Sequence, residues 1–169
     1  MTYNKLESAT RGAACRTLGT KSKEFDRWLI ICDPNEDIDI EGVASGTSVE
    51  FAIHPFVSPF TCFSSVVSVF VSLGEEQGRG DVQVFFGDSC GNAEAALTAA
   101  QGFLLRDKTD GWYVEDDFED NSGLHLMHTF AYDPENERSM EEAIASCFAE
   151  LLEMETDGQL RSFIRYFED

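Results

Sequence analysis

The 26 residues from Cys62 to Gly87, CFSSVVSVFVSLGEEQGRGDVQVFFG, most narrow what this chain can fold into. Two apolar runs (62–73 and 81–87) flank a glycine-rich stretch, GEEQGRG. The serines that break SSVVSVFVSL make it too polar for a membrane span, which needs roughly 20 consecutive apolar residues. Runs of this length bounded by glycine predict two strands of a β-hairpin with a long, exposed tip. A hairpin implies an antiparallel sheet, so the rest of the chain is read for strands that extend it and for helices that cover it.

Upstream, RWLIIC (27–32) predicts a buried strand ended by Asp33-Pro34. DIDIEGV (37–43) and SVEFAIHPF (48–56) alternate, and Val49, Phe51 and Ile53 share one face of the latter. Pro55 and Pro59 then stop the ladder, because proline cannot donate to it. Downstream, Asn92 is placed to cap a helix to about Leu105, with Ala93, Ala96, Leu97, Ala100, Phe103 and Leu104 as its apolar stripe. WYVEDDFED and LHLMHTFAYD pair as a second hairpin across NSG, whose Asn and Gly tolerate positive φ.

Ser139 and Glu142 form a capping box for a helix whose apolar positions are Met140, Ile144, Cys147, Phe148 and Leu151. After the ETDG break, Leu160, Phe163, Ile164 and Phe167 recur at helical spacing. Residues 1–21 read as a polar, irregular segment with at most a short helix near TRGAACRTL. Residues 22–169 read as one acidic domain. The expected fold is α+β, an antiparallel sheet of about five to seven strands, including two hairpins, packed by two to three helices.

A chain of 169 residues with 43% apolar content and 14 Phe can bury a core without disulfides. Its five cysteines, at 15, 32, 62, 90 and 147, lack the short repeated spacings of a disulfide framework or a zinc site and read as reduced thiols. The N-terminus has no signal-peptide core, so a cytoplasmic location is expected.

Charge is the main functional clue. Twelve Lys and Arg oppose 32 Asp and Glu, a formal net charge of −20. Residues 1–27 hold six basic and three acidic groups, leaving six against 29 in the remainder. Such a body repels nucleic acid and anionic membrane and draws in basic proteins over a Debye length of roughly 8 Å. Solubility, or a halophilic source, would also account for the acidity.

Two acidic clusters stand out. In DPNEDIDIE (33–41) the EF-hand pattern fails, since Ile38 and Ala44 occupy the positions of its glycine and its bidentate glutamate. As a strand, the stretch puts Asp37, Asp39 and Glu41 on one face at a repeat of about 6.6–6.8 Å, near two rises of about 3.4 Å along a DNA strand. That row could imitate phosphates, or be an ordinary solvated face. The second cluster, Glu115, Asp116, Asp117, Glu119 and Asp120, follows Trp112 and Tyr113 and encloses Phe118. Aromatic anchors beside a charged rim are the composition of an interface. The competing reading is a charged hairpin that discourages edge pairing.

His125 and His128 point to opposite faces of a strand, which argues against a shared metal and for surface or satisfied core groups. No cofactor or metal motif is present. Cys90, between a strand and a helix in FFGDSCGNAEAAL, is the best nucleophile candidate, with His54, His125 or His128 as a possible base and Ser89 as a weaker alternative. The preferred reading is non-enzymatic: an acidic inhibitor or immunity-type protein, or nucleic-acid mimic. It would occlude a basic nuclease or other nucleic-acid-binding partner, with no direct contact to nucleic acid or membrane. The expected contact residues are Asp37, Asp39, Glu41, Trp112, Tyr113, Glu115, Asp116, Asp117, Phe118, Glu119 and Asp120. Alternatives are a small acidic chaperone for an exported client and a cysteine hydrolase or transferase at Cys90.

Overall fold

The alternation read in the sequence becomes the pleat of one antiparallel sheet. The computed structural model describes residues 2–18, 29–30, 48–53, 60, 62–63, 67–74, 76–85, 111–116 and 124–164. Within these, helix α1 (Thr2–Thr17) precedes strands β1 (Leu29–Ile30), β2 (Ser48–Ile53), β3 (Val67–Leu73), β4 (Arg79–Phe85), β5 (Tyr113–Asp116) and β6 (Leu124–Ala131). Helices α2 (Glu137–Thr156) and α3 (Gln159–Ile164) follow. The strand order is β1-β2-β3-β4-β6-β5, with every pair antiparallel.

The fold is therefore α+β with an antiparallel sheet, as expected. The body of the sheet is β2, β3, β4 and β6, each of six to eight residues. Those four full strands are fewer than the five to seven expected, because β1 and β5 pair over only two and four residues at the edges. The expected strand at 37–43 and helix at 92–105 lie outside the described residues.

Register shows which face is the core. Val49, Val71, Val82 and His128 form one row across β2, β3, β4 and β6, and Phe51, Val69, Val84 and Leu126 form the next. All of these but His128 are buried. The α2 stripe closes over them with Met140, Ile144, Cys147, Phe148 and Leu151, together with Ala145 and Met154. Phe148 meets Phe51 edge to face, centroids 5.7 Å apart at 87°, a geometry worth roughly 0.5–1.5 kcal/mol beyond area burial. At the end of the first hairpin, Gly80 is required by packing. A Cβ there would stand 2.5 Å from Phe130 Cζ and 2.6 Å from the Ser72 carbonyl oxygen.

Two expectations are corrected. The N-terminal segment is not irregular: residues 2–17 form a 16-residue helix that buries Leu6, Ala9, Ala13 and Ala14. Alanine is the best helix former but a weak hydrophobic marker, so the stripe reads as polar while the helix packs closely. The cap of α2 is also earlier than Ser139. Asn136 is the N-cap, its Oδ1 accepting from Arg138 N at 3.1 Å. Ser139 sits inside the first turn, where its hydroxyl donates to the carbonyl oxygens of Asn136 at 2.8 Å and Asp133 at 3.1 Å. The predicted break at ETDG is present, followed by α3 with Leu160, Phe163 and Ile164 buried; Phe167 lies outside the described residues.

Candidate acidic partner-binding surface

Strand β5 puts part of the second acidic cluster at the edge of the sheet. Glu115 pairs with His125 and Asp116 with Leu124, and Tyr113 pairs with Met127. Edge strands present unpaired backbone groups, and charge there blocks strand addition. Asp117, Phe118, Glu119 and Asp120, like Asp37, Asp39 and Glu41, lie outside the described residues. So do Cys90, Ser89 and His54.

Trp112 is a correction. It is 4% exposed, and its Nε1–H donates to the Cys147 carbonyl oxygen at 3.2 Å. The indole is spent inside the fold, pinning the start of β5 to α2, and gives no surface anchor. Tyr113, half-buried, is the described aromatic beside the acidic strand.

The edge of the Trp112 ring system leads to a site that residue spacing did not reveal. His128 meets Trp112 at 5.5 Å and 87°. Its Nε2 lies 2.9 Å from Glu150 Oε2, and its Nδ1 lies 2.7 Å from the Thr129 carbonyl oxygen. His128 is thus the satisfied, partly buried histidine that its strand position suggested. Glu150 is 22 residues away, so only packing of α2 on the sheet brings the two together.

The basic residues of α1 are turned on the protein's own glutamates. Arg11 pairs with Glu7 within the helix at 2.9 Å. Lys5 reaches Glu137 of α2 at 3.0 Å, and Arg16 reaches Glu141 at 3.2 Å. Gly12 makes room for the second pair, since a Cβ there would lie 2.7 Å from Glu141 Oε2. Among the described residues no basic side chain pairs with Glu142, Glu153 or Asp157, which are exposed on α2 and the turn after it. Near the start of α2 a groove of about 620 Å³ is lined by Lys5, Ser8, Tyr132, Asp133, Arg138 and Met140, among others.

The buried ionisable groups are chemically quiet. Burial pushes the Cys62 thiol far up; Glu155, which accepts its hydrogen bond, adds to this against the pull of Arg161. Burial pushes the Cys147 thiol up to about 12, and the charge of Glu150 acts in the same direction. Both are thiols near neutrality, and a thiol is a poor nucleophile. Burial also raises Asp81, and the Gln83 side-chain amide that donates to it at 2.9 Å partly offsets this. Among the described residues no three His, Cys, Asp or Glu side chains gather as a metal site, and no helix is long and apolar enough to cross a membrane.

Compared with known proteins, the chain matches no family model, no curated protein and no solved structure.

Proposed function

We propose that this chain is a non-enzymatic acidic binding protein that neutralises a basic, nucleic-acid-handling protein by covering its working surface. The observation that carries the reading is the way its few cations are used. Lys5, Arg11 and Arg16 of the basic N-terminal region are engaged by Glu137, Glu7 and Glu141. The outward carboxylates Glu142, Glu153 and Asp157 are left without a basic partner among the described residues. Among the described residues, these carboxylates are therefore displayed rather than cancelled. A field of one sign steers a basic partner and speeds encounter, while desolvated contacts set the lifetime of the complex.

The proposed contact surface is the acidic edge at β5 and the segment after it: Glu115, Asp116, Asp117, Glu119 and Asp120, with Tyr113 and Phe118 as the apolar groups. Asp37, Asp39 and Glu41 are a second candidate row. The test is capture of partners by the purified chain at low and at high salt, with Asp116→Lys/Asp117→Lys in parallel. The reading expects one basic partner, weakened by salt and lost in the double variant. Equal capture by the variant and the wild type would remove this edge as the site, and no salt-sensitive capture at all would remove the proposal.

A further inference from the structure

We propose that the flank of α2 beyond the end of α1 is a docking groove for a basic amphipathic helix of the partner. The groove, of about 520 Å³, is lined by Thr17 of α1 and by Ala149, Leu152, Glu153, Thr156 and Asp157. It exists because the two helices differ in reach. Along the first half of α2 the side toward α1 is occupied: Lys5 reaches Glu137, and Arg16 and Gly12 meet Glu141. Helix α1 then stops at Thr17, whereas α2 runs on to Thr156. This docking rests on the reading that the partner is basic.

The floor and the rim decide the kind of occupant. On the floor, the hydroxyls of Thr17 and Thr156 donate back to the carbonyl oxygens of Ala13 at 2.7 Å and Leu152 at 2.9 Å, so their donors are spent within the helices. Between them lie the exposed Ala149 and the half-buried Leu152. A residue as small as Ala149 lets another helix come close, and an apolar floor between helices is suited to the apolar face of a helix. The rim is negative. Glu153 and Asp157 are exposed, with no basic partner among the described residues. Asp157 Oδ1 accepts from Gln159 N at 3.0 Å, a bond that leaves its charge uncancelled. The last turn of α2 carries no basic residue, although the partial negative charge of a helix C-terminus favours one. None of the lining residues is basic either. Such a groove is complementary to lysine or arginine flanking an apolar helical face. It opposes a second copy of this chain, which bears the same charge of −20.

The probe is a fluorescent amphipathic peptide of about 18 residues, leucine on one helical face and lysine on the other, with a glutamate-for-lysine counterpart. Added to the ¹⁵N-labelled chain, the lysine peptide is expected to shift the amides of Thr17, Ala149, Leu152 and Thr156, and the glutamate peptide to shift none of them. Glu153→Gln/Asp157→Asn is expected to weaken binding roughly three- to tenfold, as the loss of two exposed charge contacts should; asparagine keeps an acceptor for Gln159 N. Ala149→Gln, an exposed change that lays a polar chain on the floor, is expected to weaken it as well. Glu135→Gln/Glu142→Gln removes as much charge, with Glu142 roughly 16 Å from Glu153 along α2. At that distance, beyond a Debye length, binding is expected to stay within about twofold of the wild type. No binding of the lysine peptide, equal effects of the two double variants, no effect of Ala149→Gln, binding of the glutamate peptide, or shifts confined to β5 each overturn the groove. So does a dimer in native mass that Ala149→Gln abolishes. The groove and the binding proposal fail separately. A basic partner captured equally by the wild type and by Glu153→Gln/Asp157→Asn removes the groove alone, whereas no salt-sensitive capture removes the proposed function and with it the partner that the groove serves.

Discussion

Glu141 and Glu150 lie on the same helix, yet they fasten it in different ways. Glu141 answers Arg16 of α1 across a gap left open by Gly12, with side-chain exposures of 35% and 49%. Glu150 answers His128 of the sheet, beside the buried Trp112, where the histidine is 14% exposed. The α1 flank thus combines burial of Leu6, Ala9, Ala13 and Ala14 with solvated ion pairs. The sheet flank combines aromatic packing with directed hydrogen bonds. An ion pair in water gains little because both partners are already well solvated, whereas a bond near the core is costly to leave unmade. The comparison teaches that charge orients α1 and burial holds it, while at β6 the polar contacts are themselves structural.

The sharpest break comes from removing what both flanks share. Phe148, fully buried beneath α2 and edge-on to Phe51, is expected to cost about 3–5 kcal/mol as Phe148→Ala. Denaturant unfolding reads this, and a loss below about 1 kcal/mol would mean that α2 is not seated on the sheet as described. Trp112→Phe addresses the sheet flank alone. It keeps an aromatic ring and removes only the indole N–H bond to the Cys147 carbonyl, which retains its partner within the helix, for an expected loss of roughly 0.5–1.5 kcal/mol; no measurable loss would mean that the indole bond is not structural. The smallest effect belongs to the α1 flank. Lys5→Ala and Arg16→Ala together should lower stability by less than about 1 kcal/mol, and by less again in high salt. A larger, salt-sensitive loss would show that charge, and not burial, attaches α1.

What the sequence discloses by itself is whatever repeats with a local period. The alternation in VSVFVSL and DVQVF set the first hairpin and its core face, and Met140, Ile144, Cys147, Phe148 and Leu151 marked the buried stripe of α2 before any contact was known. The acidity also follows from the residues alone. Other features had no local signature. The stripe of α1 is mostly alanine, so its burial depends on the close approach of α2 and not on its own hydrophobicity. The start of α2 was misplaced because Ser139 and Glu142 fit a capping box, and the structure assigns the cap to Asn136 and puts Ser139 in the first turn. Trp112 looked like a surface anchor because acidic neighbours follow it in the chain. Its hydrogen-bond partner is 35 residues away and the histidine against its ring is held by Glu150, so its burial was decided by packing between distant segments. Short-range periodicity determines which residues form an element and which face is apolar; which polar groups that face must then satisfy is decided only when elements far apart in sequence meet.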